Sequence, residues 1–327
     1  MKRTSLILLL SGLAIIAVFA IVAALSIGSA ISDPVQFWTE ALRDEHSLAR
    51  TLALELRLPR ALQAFAIGAM LALAGVLMQV LLRNPLADPY ILGVSGGASV
   101  AALAALLAGL GGWWIELGAA AGALLATSIV FTLAHGSGAW TPTRLLLTGV
   151  VVASGCGAIV SLMLALGSES RLRGMVFWLI GDLSHNSAPL RLVFVLGPLL
   201  LASLLASRHL NLLARGDVEA QMLGLPVRGV RYAIFIASSL LTAAAVSAAG
   251  SIGFVGLVTP HLVRLMGGSD HRVVVPAAVL LGGTLLVLAD LLARTLIAPR
   301  QLPVGALTAL IGVPLFLVLI RRQRLVS

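Results

Sequence analysis

Long apolar runs, broken by short polar punctuation, cover almost the whole chain. A helix that crosses the ~30 Å hydrocarbon core of a bilayer takes about 20 apolar residues. Runs that meet or approach this length fall at 6–28, 61–82, 91–109, 113–134, 145–166, 190–206, 229–249, 252–266, 273–293 and 304–320. The expected fold is therefore an all-α integral membrane protein with about ten transmembrane helices in a single domain over 1–327. The third and eighth runs are short and adjoin Gly/Pro-rich sequence. They are expected as tilted or discontinuous helices, because irregular backbone at membrane depth must line a cavity or be covered by protein. The first run follows Lys2 and Arg3 and exceeds the roughly 7–15 apolar residues of a signal peptide. It reads as an uncleaved span, although Gly28, Ser29 and Ala30 give it a small-residue end.

Two intervals are too polar to span. Residues 31–57 form an outer stretch with an amphipathic segment around Val35–Leu42. Residues 207–228 form the longest inner loop, with Val218, Met222 and Leu225 on one side of a short helix that Gly224 and Pro226 end. Such a helix can lie on lipid or dock against a partner.

Composition agrees with this pattern. Hydrophobic residues make up 59% of the 327 and charged residues only 11%, against about 25% charged in a soluble domain. Mean hydropathy is +1.06. The single cysteine, Cys156, excludes an internal disulfide or a Cys-based zinc cluster. Lys2 is the only lysine, so no Walker loop can be built and the chain is not expected to hydrolyse nucleotide. With Met1 inside, thirteen basic and four acidic residues fall on the inner side, and nine basic and eight acidic on the outer. Both termini are then cytoplasmic.

The span centres hold almost nothing that titrates, which leaves little chemistry for ion coupling. Asp290 is the exception, and the expected reading is an outer-boundary carboxylate paired with Arg294 one turn on. A proton or cation role for it would instead suit an ion-coupled secondary transporter. The six histidines are scattered, with no zincin pair and no nucleophile elbow. His261, after Pro260, is expected as a hydrogen-bonded histidine near the cytoplasmic end of its helix. Small-residue ladders at Gly149, Ala153, Gly157 and at Gly68, Ala72 suit close helix packing.

Three segments carry more. In RNPLADPYILGVSGGAS (83–99), Asp88 before Pro89 has the order of an N-cap and first helical residue. Gly93, Ser95, Gly96, Gly97, Ala98 and Ser99 then leave a nearly side-chain-free stretch. It serves tight packing or forms a permeation wall, and the residues alone leave both open. GSIGFVGLVTPHLVRLMGGSDHR (250–272) and LPVGALTALIGVPLFLVLIRRQR (302–324) are the other two.

Together with RLPR (57–60), these segments resemble, in order and over nearly the whole chain, the permease subunits of type II ATP-binding-cassette (ABC) importers for ferric siderophores, haem and cobalamin. The resemblance implies a non-catalytic subunit with no cofactor, in the bacterial inner membrane, moving an iron chelate, haem or cobalamin from periplasm to cytoplasm. It implies a homodimer in lipid, two cytoplasmic ATPase subunits and a periplasmic binding protein, and no nucleic acid. Arg57, Arg60 and Arg294 match arginines that receive acidic residues of the binding protein. Gly216, Asp217, Glu219, Ala220, Leu223 and Gly224 match the coupling helix that docks on the ATPase. Gly93, Ser95, Gly96, Gly97 and Ser99, with Gly174 and Trp178 of the outer-gate stretch 171–184, are the expected pathway residues.

Overall fold

The computed structural model describes residues 3–28, 33–44, 46–135, 141–184 and 189–323. Lys2, Glu45, His185 and Arg324 lie outside them. The described residues are helical almost throughout, in the order α1 (Arg3–Ser26), α2 (Pro34–Arg43), α3 (Leu48–Thr51), a π segment (Leu52–Arg57), α4 (Leu58–Leu81), a 3-10 turn (Pro89–Leu92), α5 (Val94–Leu107), α6 (Trp113–His135), α7 (Pro142–Leu166), α8 (Glu169–Ile180), α9 (Pro189–Leu205), α10 (Ser207–Arg215), α11 (Asp217–Met222), α12 (Val227–Ala249), α13 (Val255–Gly267), α14 (His271–Thr295) and α15 (Val304–Gln323).

A helix lies at each of the ten expected runs. Among the described residues six are long and apolar enough to cross a membrane by themselves, counting α3 to α4 as one, and α9 runs into α10 through a bend of 62°. The shortness expected of the third and eighth runs holds: α5 has 14 residues and α13 has 13.

The second run starts earlier than its hydropathy suggests. Leu48–Leu81 is one continuous helix of 34 residues. At 1.5 Å per residue it is about 50 Å long, so its first turns project beyond the ~30 Å core. The π segment hid this continuity, because its Glu55 and Arg57 interrupt the apolar run. α2 forms where the amphipathic segment was expected. Asp33 caps it through Val35 N, and Phe37 and Ala41 bury against Ala49 and Ala53.

α4 is the axis of the fold. From Ala66 to Leu81 every residue is buried, as a helix apolar on all sides must be. α14, α12, α13, α1 and α9 pack around it. Small residues set the spacing. A methyl group on Gly75 would overlap Gly256 O of α13, and Gly68 and Ala72 of α4 abut Gly282 of α14. The ladder in α7 divides: Gly149 packs on Ile91 O, whereas Gly157 meets nothing within 4 Å. α7 is the least covered of the long helices, with only Leu145 and Gly149 buried.

Candidate docking, coupling and permeation sites

At one end of the bundle, three arginines converge on one carboxylate and one helix end. Asp290 of α14 is only 1% exposed. It accepts from Arg60 Nε at 3.1 Å to both oxygens and from Arg60 Nη2 at 2.8 Å. Arg294, one turn on, places its Nε 3.1 Å from Asp290 Oδ2, so the expected pair forms. Arg60 Nη1 also donates to Gln301 Oε1 at 3.1 Å. The remaining donors cap α1. Arg294 Nη2 donates to Ala24 O at 3.1 Å, and Arg57 Nη1 to Leu25 O at 2.7 Å and Ser26 O at 3.3 Å. These carbonyls lack helical partners and lie at the negative end of the helix dipole, where guanidinium groups are favoured. Arg57 is 6% exposed and lies under Phe37, its guanidinium carbon 4.4 Å from the ring centre. All three expected docking arginines are therefore also internal ties between α1, α4 and α14.

At the opposite end, 207–228 folds into two helices rather than one. Gly216 separates α10 from α11 with φ 128° and ψ 157°, a conformation open to glycine alone. Gly224, with φ 80°, ends α11. Its N–H donates to Gln221 O at 2.9 Å, and that of Leu225 to Ala220 O at 3.0 Å, the paired bonds of a Schellman cap. Leu225 thus falls beyond the helix and turns into the core, 6% exposed, rather than sharing a face with Val218 and Met222. Ala220 is fully buried. The exposed apolar edge consists of Val218, Met222 and Leu223.

Asp217 ties α11 to the bundle. Arg231 Nη2 of α12 donates to it at 2.6 and 2.8 Å, and Arg83 Nη2, just past α4, lies 3.4 Å away. Glu219 pairs locally with Arg215 at 3.2 Å. The hold on Asp217 was not visible in the sequence, because its partners stand far along the chain with no local spacing to mark them.

The near side-chain-free stretch is largely a packing surface. Asp88 caps the 3-10 turn through Tyr90 N at 2.8 Å. Burial pushes its carboxyl up to about 6, against the opposing effect of the Tyr90 N–H. Gly93 has φ 74° and closes that turn. Gly97 abuts Gly122 of α6, Gly96 abuts Cys156 of α7, and Ser99 is buried. Ser95 Oγ donates to Ser251 Oγ at 2.9 Å, in the irregular link between α12 and α13. Tyr90 OH spans the same link, 3.1 Å from both Ile252 O and Ile252 N. Protein thus covers that irregular backbone.

α8 is held at both ends. Arg171 donates to Leu106 O and Leu107 O at the end of α5, and Asp182 N to Ala249 O at 2.9 Å. Gly174 and Trp178 border a cavity of about 270 Å3 with Phe177, Asp182 and Gly250. His261 departs from expectation: it is 3% exposed, its Nε2 has no partner among the described residues, and its ring lies 6.3 Å from that of Phe316. Among the described residues no group of three or more His, Cys, Asp or Glu is placed to hold a metal.

The sequence profile of the FecCD transport family matches residues 15–322. The chain is 43% identical over 288 residues to the hemin transport system permease protein HmuU of Yersinia pestis, covering 83% of each. It is 41% identical over 274 residues to the vitamin B12 import system permease protein BtuC of Klebsiella pneumoniae, covering 83% of this chain and 82% of that one. A solved structure described as an inward-facing conformation of a metal-chelate type ABC transporter superposes with a TM-score of 0.83 at 34% identity, over 97% of this chain and 99% of that one.

Proposed function

The chain belongs to the FecCD transport family, and from that premise we propose how its surfaces serve import. The protein is a multi-pass membrane permease of an ABC importer, a transport component without catalytic chemistry of its own. Its cargo is an iron chelate, haem or cobalamin, taken from periplasm to cytoplasm across the bacterial inner membrane. The names of the hemin and vitamin B12 relatives support that range. The working assembly contains a second copy of the chain, two cytoplasmic ATPase subunits and a periplasmic binding protein. The arginine bias supports cytoplasmic termini, with 1–327 acting as one transmembrane domain.

The observation that carries the coupling reading is the tethering of α11. Its exposed Val218, Met222 and Leu223 form an apolar edge for the ATPase, beside Glu219. Ala220 buries behind that edge, and Gly216 and Gly224 supply the turns that set it. Asp217 transmits a push on this edge to the end of α4 through Arg83 and to the start of α12 through Arg231. Where coupling is a binding equilibrium it is reciprocal, so a docked binding protein favours the state that also binds ATP.

At the outer end, Arg57, Arg60 and Arg294 leave a net positive cluster around one carboxylate. Carboxylates of the binding protein dock there, and bidentate pairing suits arginine to that task. The cargo passes Gly174 and Trp178 at the outer gate, and of the glycine-rich stretch only the half-buried Ser95 and Gly96 are open to it, since Gly93, Gly97 and Ser99 are buried. These residues offer little charge, so the cargo is held weakly and can leave. Arg60→Gln is the test of docking, since Arg57 is buried and a glutamate at 60 would face the buried Asp290. It weakens capture of the binding protein in a pull-down while ATPase assembly is retained. Unchanged capture removes the docking assignment.

A further inference from the structure

A cavity of about 550 Å3 opens on the same end as α10 and α11 and shares Arg83 and Arg215 with the hold on α11 described above. Its walls bring together Arg83 after α4, Arg215 of α10 and Arg264 of α13, with Asn84, Asn211 and His271. The only carboxylate in the lining is Asp270, and it is already engaged. Its Oδ1 accepts from Asn211 Nδ2 at 2.8 Å and from Arg272 N at 3.0 Å. Arg264 is half-buried and donates to Gln79 Oε1, a neutral acceptor. No carboxylate among the described residues forms an ion pair with it. A half-buried guanidinium with only a neutral acceptor keeps an uncompensated charge facing the cavity, and an anion entering it would pair with that charge.

Arg83 provides an independent observation. It sits just past α4 with φ 49°. Its N–H donates to Val80 O at 3.2 Å, and that of Asn84 to Gln79 O at 3.2 Å. This is the same paired cap that ends α11, where the left-handed position is filled by Gly224. An arginine there carries a backbone strain that glycine would not. A strained position of this kind is held only where the surrounding structure fixes it. The Arg83 side chain lines the cavity and holds Asp217.

We propose that this cavity is a binding site for a small anion bearing two or more phosphate groups. Cationic groups stand on three separate walls, so one polydentate anion suits them better than a single phosphate. The volume is that of a small-molecule site, and guanidinium forks match phosphate oxygens. The occupant competes with Asp217 for Arg83 and with Glu219 for Arg215, so filling the site loosens α11. That last consequence rests on the coupling reading, whereas binding itself does not.

The experiment uses the purified full chain without ATPase, in phosphatidylcholine nanodiscs, titrated with inorganic pyrophosphate while thermal unfolding is followed. The expected result is a saturable rise in unfolding temperature that fades with added salt. Arg264→Gln and Arg83→Gly each weaken the apparent affinity at least tenfold, and Arg264→Lys restores part of it. Arg83→Gly relieves the backbone strain, so its loss of binding is not a failure to fold. A second arm replaces pyrophosphate with cardiolipin, a lipid with two phosphate groups, in the nanodisc. A rise in that arm alone, lost in the same two variants, supports the site with a lipid headgroup as the phosphate source. No rise in either arm, or an equal rise in the variants, overturns the proposal. So does an ATPase pair that binds wild type but not Arg264→Gln while neither phosphate source has an effect, since the cavity is then a socket for an acidic protein side chain.

Discussion

Asp290→Asn keeps the shape of the side chain at the centre of the outer cluster and removes its charge. The carboxylate is 1% exposed, accepts from Arg60 through two nitrogens and pairs with Arg294. The two guanidinium groups are themselves mostly covered, with side chains 13% and 11% exposed. Removing one partner of a buried ion pair costs about 3–5 kcal/mol, because the other charge is left uncompensated. Here two arginines lose their counter-charge, but Gln301 and Ala24 O still accept from them, which keeps the loss within that range. A chain of this length shifts by roughly 2 °C per kcal/mol, the low end for large domains, so the unfolding temperature should fall by about 6–10 °C. Tryptophan fluorescence of the detergent-solubilised protein reads this directly. Adding Arg60→Gln removes one orphaned charge and should recover more than about 1 kcal/mol, the coupling expected of groups in one network. A variant that melts within about 2 °C of wild type, or a double variant whose losses simply add, would refute the reasoning.

Replacing Glu219 and Leu223 together should uncouple hydrolysis from transport, and a double variant with normal uptake removes the coupling assignment. Asp88 should give stability a dependence on pH. Its carboxyl, pushed up to about 6, keeps its proton where the unfolded chain has lost it. Its contribution is full below about pH 4 and is lost as pH rises through 6, a loss on the order of 2–3 kcal/mol. Asp88→Asn, which can still cap the turn, should flatten that slope in melts at graded pH, and an unchanged slope assigns it elsewhere. Gly75→Ala forces a methyl group into Gly256 O and should cost about 1–3 kcal/mol or more in thermal unfolding. Gly155→Ala has open space around it and should be neutral or slightly stabilising, and equal effects at the two positions would contradict the packing described.

The helices at the ten apolar runs were legible because an apolar run of fixed length is a strong signal, whereas α8, outside any such run, was not. The joints between helices were less legible. The helix from Leu48 into α4 was hidden by polar residues on a π turn, and the break at Gly216 by a hydrophobic pattern that continues across it. The contrast between Arg57 and Asp290 is similar. Spacing alone gave the pairing of Asp290 with Arg294, since i,i+4 neighbours meet on any helix. Nothing local indicates that Arg57 caps α1 from across the fold, or that Asp217 is held by Arg83 and Arg231. The glycine-rich stretch after Asp88 left packing and permeation open, and Gly96 and Gly97 turn out to face α7 and α6. Long-range partners of this kind depend on the packed arrangement and leave no periodicity in the sequence.

The central claim is that this chain is a passive path driven by separate ATPases. Uptake into proteoliposomes containing the chain, its ATPase pair and a loaded binding protein tests it most directly. The account predicts accumulation of the chelate only when ATP, the ATPase pair and the binding protein are all present, with no response to an imposed pH gradient. Accumulation by the chain alone, driven by that gradient and lost in Asp290→Asn, would contradict it.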